Sequence, residues 1–290
     1  MSAAVTVLSG FALTFAVAMT SGCAVRWPDG RASGESLGGP ANGSLLRAVR
    51  VPDHARSMVL FRRPGEGGQV WTTRRLRDAV LSSAERVART VPGGAPLVVG
   101  DFSAPWGGRI ERHRSHRNGR DVDLLFYVTD ASSGRSVQAS GFVRFDRALE
   151  PRVRDAAVRF DLPRNWALVE SLVREERHGV LWIFCASWIR AALLQWAEAH
   201  GRDPRWIERA ARALHQPGDA APHDDHFHVR VSCSPEDRLI GCVDGGPMHF
   251  WLGRAVGKPD AAPMDDQELR WELPPPPHAH RGASRRTRRR

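Results

Sequence analysis

The stretch His226-Phe227-His228-Val229-Arg230-Val231, HFHVRV, decides how this chain is read. Side chains of an extended strand alternate between its two faces, so Phe227, Val229 and Val231 point one way and His226, His228 and Arg230 the other. One face packs and the other displays imidazoles. The same rule applied to RDVDLLFYV (Arg120–Val128) puts Asp121 and Asp123 on one side and Val122, Leu124 and Phe126 on the core side. Both segments therefore present polar groups from strands whose backs are anchored.

Around these strands the chain concentrates its metal-binding side chains. ERHRSHRNGRDVDLLF carries His113, His116, Asp121 and Asp123; HQPGDAAPHDDHFHVRVSC carries His215, His223, Asp224, Asp225, His226 and His228. Six of the twelve histidines fall in these two stretches, which makes them one candidate site rather than scattered surface residues. A catalytic zinc takes three protein ligands and keeps one position open. His116, with Asp123 seven residues on and Gly119 permitting a tight turn between them, can supply two, and His228 the third. His226, on the same face as His228, then lies beside the open position, where a base is needed. His113 and His223 read as outer-shell groups, substrate contacts or surface imidazoles, and His215 as structural.

Outside the two stretches, Leu76, Val80, Ala84, Val87 and Val91 recur at helical spacing after Thr72 and Thr73, either of which can cap the first turn. Ala95–Asp101 reads as a strand, Asn165 as the cap of a helix through WALVESLV, and Val180–Phe184 as a buried strand. Helices follow near Ile189–His200 and Pro204–Leu214. Helices and strands interleave, yet no Gly-rich phosphate loop follows any strand, which argues against a Rossmann or P-loop fold.

Composition is that of an ordinary globular protein: 290 residues, 42% hydrophobic and 26% charged, which excludes a wholly disordered or polytopic membrane chain. The net charge of +10 is misleading, because six arginines sit in residues 281–290 and 10 − 6 leaves +4 for the remainder. A basic end is not a basic face, so no nucleic-acid partner is expected. Residues 3–19 are uncharged and precede the small residues before Cys23, a pattern suited to an export leader with lipidation of Cys23. The expected organisation is a leader over 1–23, a flexible Gly/Ser/Pro-rich tether over 24–44, a catalytic domain over 45–257 and a disordered Pro/Arg-rich tail over 258–290. In an oxidising compartment Cys233 and Cys242 can staple a local loop, two free thiols being the alternative; Cys185 reads as a buried thiol.

VVGDFSAPWGGRIERHRSHRNGRDVDLLF (98–126) and HDDHFHVRVSC (223–233) resemble the signature of penicillin-insensitive murein endopeptidases. The departures are Arg120, where an apolar residue is common, and the pair Asp224–Asp225. The resemblance implies an α+β fold in which a small antiparallel sheet flanked by helices holds zinc, as in lysostaphin-type, D-Ala-D-Ala and hedgehog-like zinc peptidases. It implies zinc ligands His116, Asp123 and His228, catalytic-site histidines His226, His223 and His113, and Asp121 as an orienting outer-shell residue. The implied reaction is hydrolysis of the D-alanyl-diaminopimelyl cross-link in peptidoglycan stem peptides, in the periplasm and with possible membrane attachment through a Cys23 lipid. A related zinc carboxypeptidase or L,D-endopeptidase, and a non-catalytic zinc- or peptidoglycan-binding envelope protein, are the alternatives.

Overall fold

Leu76, Val80, Ala84 and Val87 line one buried stripe of a helix, α1 (Arg74–Thr90), whose first turn is capped by Thr73 Oγ1 accepting from the Leu76 amide. The computed structural model that contains it describes residues 34–62, 69–152, 157–218 and 220–253. The leader with Cys23, the first part of the tether and the arginine tail lie outside the described residues. Among those described, no helix is long and apolar enough to cross a membrane.

The central sheet has seven strands. In chain order they are β1 (His54–Ala55), β2 (Met58–Leu60), β3 (Leu97–Val99), β4 (Asp121–Leu125), β5 (Val180–Phe184), β6 (Leu214–His215) and β7 (His226–Val231). Across the sheet they run β6-β5-β7-β4-β3-β2-β1. The middle, β5-β7-β4-β3, is antiparallel, but β2 pairs with β3 and β5 with β6 in parallel. The fold is mixed α/β, with a larger sheet than the small antiparallel one expected. Parallel neighbours need a crossover, and the chain supplies two. One is α1; the other is α3 (Ser187–Ala199) followed by α4 (Pro204–Ala213). The added edge strands are two or three residues long, too short to show alternation in sequence.

The alternation expected for HFHVRV is present. Phe227, Val229 and Val231 are buried in the main core with Val122 and Leu124 of β4 and with Trp166, Leu168, Leu193 and Leu194 from the helices. In the β4–β7 register His228 stands opposite Asp123, and Arg230 opposite Asp121. One sheet face is thus committed to the helical core, and the other is free to carry the site.

Two expectations are corrected, and one departure from the family pattern finds its place. The helix after Phe160, α2 (Leu162–Arg174), begins before Asn165: Asp161 caps it, accepting from the Arg164 amide. Asn165 is buried inside the helix, where its amide accepts from the Tyr127 N–H and donates to the Tyr127 carbonyl. The described fold also begins before Leu45. Glu35–Leu37 pairs with Ser44–Leu46 in an antiparallel ribbon, and Gly38 exchanges backbone hydrogen bonds with Gly241 and Val243. Glycine is needed there for close approach: a Cβ on Gly43 would lie 2.1 Å from the Leu37 carbonyl oxygen. Finally, Arg120 is buried, and its guanidinium donates to Ser36 Oγ and to the carbonyls of Val231 and Val243. It ties the first ribbon, the end of β7 and the loop after α5 (Pro235–Leu239) together. That loop is closed by a Cys233–Cys242 disulfide, while Cys185 is a buried free thiol that burial pushes up to about 12.

Two buried histidines outside the candidate centre are expected to make the fold acid-sensitive. Burial pushes His178, against Ser82, and His249, bonded to the Leu181 carbonyl, down to about 4 from an ordinary 6.5. Between those values the unfolded chain binds more protons than the folded one, so stability is full above about pH 6.5 and lost as pH falls towards 4. Each histidine is expected to contribute a loss of about 1–3 kcal/mol. Denaturant midpoints at pH 7.5, 6 and 5 measure it, and a His178→Gln chain should show a smaller drop; an equal drop would place the acid sensitivity elsewhere.

Candidate metal centre

The chain reaches the site by turning back after β3. From Gly100 it runs through the PWGG loop to His116, which takes a left-handed conformation with φ 63°. That conformation costs a non-glycine residue about 1–2 kcal/mol, so something must hold it. His116 is fully buried, and its Nδ1–H donates to the Phe102 carbonyl at 2.9 Å. This leaves Nε2 facing Asp123 Oδ1 at 3.3 Å. Gly119, at φ 78°, completes the turn into β4 against the side chain of Leu45.

Asp123 Oδ1 is the point of convergence. Besides His116 Nε2, it has His226 Nε2 at 3.4 Å and His228 Nδ1 at 3.7 Å. His228 comes from the directly opposed position on β7, and its other nitrogen is fixed by Asp121, with Nε2 donating to Oδ1 at 2.7 Å. Arg230, two residues along the same face, donates to that oxygen at 2.8 Å. Burial works against the charge of Asp121, but Arg230 and His228 hold its carboxyl far below the usual range. Burial pushes His228 down to about 4, so its imidazole is neutral, the state in which a ring nitrogen can ligate a metal.

His226 is oriented from outside the sheet. Its Nδ1 lies 2.6 Å from Asp225 Oδ1, and Phe142 packs edge-on at 5.3 Å between centroids. Burial opposes its protonation, yet the carboxylates of Asp123 and Asp225 raise its pKa to about 10. His223 is the opposite case: burial, with His228 and His226 close by, pushes it down to about 3, and its Nδ1 has no hydrogen-bond partner. His113 Nε2 sits 3.0 Å from Asp101 Oδ2, with Nδ1 3.7 Å from Asp123 Oδ2.

This arrangement suits a metal ion by its own chemistry. His116 Nε2 and Asp123 Oδ1 are buried, face each other and have no hydrogen-bond partner, a combination rarely left uncompensated in a protein interior. The ligating atoms of His113, His116 and Asp123 lie within 4.8 Å of one another, and so do those of His223, His226 and His228. Asp123 joins the two triples. Imidazole and carboxylate donors in this mixture suit a first-row transition-metal ion.

The centre opens into a cleft of about 840 Å³ whose walls include His113, His223, Phe184, Trp182 and His215. His215 lies in the cleft wall, stacked on Trp182 at 4.6 Å. The seven residues given site roles from sequence, His113, His116, Asp121, Asp123, His223, His226 and His228, meet at this centre. Sequence reasoning gave no role to Asp225, the partner of His226, or to Asp101, the partner of His113. Asp101 lies two residues past β3 and Asp225 directly precedes His226, so closeness to a strand end was the available signal. The hold of Asp121 on His228 gives an expected result: Asp121→Asn weakens metal affinity about 10–100-fold, measured by competition with a chromogenic chelator. Unchanged affinity would mean that Asp121 only supports the sheet.

With this geometry in view, similarity to known proteins is informative. The chain is 28% identical over 264 residues to the penicillin-insensitive murein endopeptidase of Haemophilus influenzae, covering 82% of this chain and 81% of that protein. The sequence profile of one family, described as penicillin-insensitive murein endopeptidase, matches residues 36–250, which contain both halves of the centre. The chain belongs to the penicillin-insensitive murein endopeptidase family.

Proposed function

We propose that this chain is a zinc-dependent endopeptidase that hydrolyses the D-alanyl-diaminopimelyl amide cross-linking peptidoglycan stems, outside the cytoplasmic membrane where that polymer lies. The observation that carries the reading is the buried Asp123 Oδ1, without a hydrogen-bond partner and faced by three imidazole nitrogens at 3.3, 3.4 and 3.7 Å. His116 Nε2, Asp123 Oδ1 and His228 Nδ1 would hold the ion. A zinc ion bound there supplies Lewis acidity, which makes a water nucleophilic near neutral pH and polarises the scissile carbonyl.

The chain's own groups do the rest. Asp225 accepts from His226 Nδ1–H, which fixes the ring and turns Nε2 towards the reacting side. From there His226 exchanges a proton with the attacking water and the departing amine, or donates to the developing oxyanion. Asp121 keeps His228 in register, and Phe102 does the same for His116. His223, neutral and on the cleft wall, contacts the bound peptide. No serine is acylated on this route, which agrees with the absence of an SxxK motif from the sequence.

The test is mass spectrometry of purified cross-linked muropeptide dimers incubated with zinc-loaded protein. The expected products are monomers bearing a new D-alanine carboxylate and a new diaminopimelyl amine, lost on chelation and restored by added zinc. A zinc-loaded, folded protein that leaves the dimers intact, or trims only terminal residues, would overturn the assignment.

A further inference from the structure

Four arginines, Arg112, Arg114, Arg144 and Arg230, line the cleft, against two acids, Asp224 and Asp225. Both acids are engaged: Asp225 by His226, and Asp224 by Arg144 Nε at 2.9 Å and Arg152 Nε at 3.4 Å. Arg230 is committed in turn to Asp121 and to the Gly245 carbonyl.

Arg144 differs in how it is held. It is anchored by its inner nitrogen alone, to an aspartate that is itself only 1% exposed, while its own side chain is 52% exposed in the cleft. Its two terminal nitrogens make no hydrogen bond among the described residues. The backbone beside it is stitched to the same segment, the Phe145 amide donating to the Asp224 carbonyl at 2.8 Å. Trp188 Nε1 donates to the Phe145 carbonyl, which fixes that loop from its other side. The outer fork of Arg144 is thus presented from an anchored inner nitrogen, next to the Asp224-Asp225-His226 run that orients the proton-transfer group. A guanidinium fork matches the two oxygens of a carboxylate, and pre-anchoring lowers the entropy lost in that match.

The substrate class assigned above carries such a group in the right place. In a D-alanyl-diaminopimelyl link the scissile nitrogen and a free carboxylate sit on the same carbon. We propose that Arg144 is a specificity residue that binds, through its two terminal nitrogens, the free carboxylate adjacent to the scissile amide. This rests on the endopeptidase reading and deepens it: the enzyme selects cross-links whose diamino acid carboxyl is unamidated.

The test uses two synthetic cross-linked dimers, identical except that this carboxylate is free in one and a carboxamide in the other. The parent protein is expected to cleave the free acid about 10–100-fold better in kcat/KM, the span of a charge-assisted hydrogen-bond pair. Arg144→Gln should bring that ratio near one, mainly through KM for the free acid. Arg144→Lys, which keeps the charge without the fork, should retain part of the preference and serves if the glutamine variant does not fold. Arg152→Gln, which removes the other partner of Asp224, should keep the parental ratio. A parent that shows no preference, or an Arg144→Gln protein that keeps it, overturns the inference and leaves the endopeptidase reading standing. A parent that cleaves neither dimer overturns that reading instead.

Discussion

Replacing Asp123 by Asn is expected to weaken divalent-metal binding by more than about a hundredfold, beyond the 10–100-fold typical of losing an outer-shell partner. Release of monomeric muropeptides should fall below detection. Asp123 contributes the one anionic oxygen that three imidazoles face, at 3.3, 3.4 and 3.7 Å. A carboxamide of the same shape keeps the volume but gives up the charge that balances a dication. The side chain is buried between two strands of the core sheet, so the circular dichroism of the variant should be compared with that of the parent before any loss is assigned to the metal. Inductively coupled plasma mass spectrometry of dialysed protein and a chelator competition give the affinity. A folded Asp123→Asn protein that retains metal like the parent would remove Asp123 from the centre.

His226→Ala should separate binding from turnover. Its ring is held by Asp225 and Phe142 and faces Asp123 at 3.4 Å, in a position to exchange protons without being spent as a ligand. The variant is expected to keep its metal within about tenfold and to lose about 10²–10⁴ in kcat, the usual scale of a general acid–base contribution. KM should change far less. The geometry also offers a competing arrangement, since His223, His226 and His228 could themselves enclose an ion. Metal lost from His226→Ala but kept in His116→Ala would move the centre to that triple, and the same pair of measurements distinguishes the two.

Much of the site was legible because strand chemistry is local. Alternation at period two requires only that a run be extended with one apolar side; HFHVRV and RDVDLLFYV meet that condition, and the structure buries Phe227, Val229, Val122 and Leu124 together. The long helix was legible for the same reason, with an apolar stripe and a threonine cap. What failed was decided by partners distant in the chain. Asn165 looks like a cap until Tyr127, 38 residues away, takes its amide. Arg120 looks out of place until Ser36, Val231 and Val243 gather round its guanidinium. The Gly/Ser/Pro-rich segment before Leu45 looks like a tether until its glycines allow Gly38 to lie against the disulfide loop.

The sequence by itself determined the chemical inventory: which imidazoles and carboxylates exist, and that Asp121, Asp123, His226 and His228 ride on the non-core side of two strands with packed backs. Tertiary structure alone decided how they combine. Strand pairing sets His228 opposite Asp123 and brings its ring to Asp121, a residue 107 positions away, and it is the pairing register that turns one nitrogen to the metal position and the other to a carboxylate. A one-residue slip would send every one of these side chains to the other face of the sheet. Register is fixed by burial of the whole apolar face against the helices, a cooperative property of the folded core that no single stretch of sequence carries.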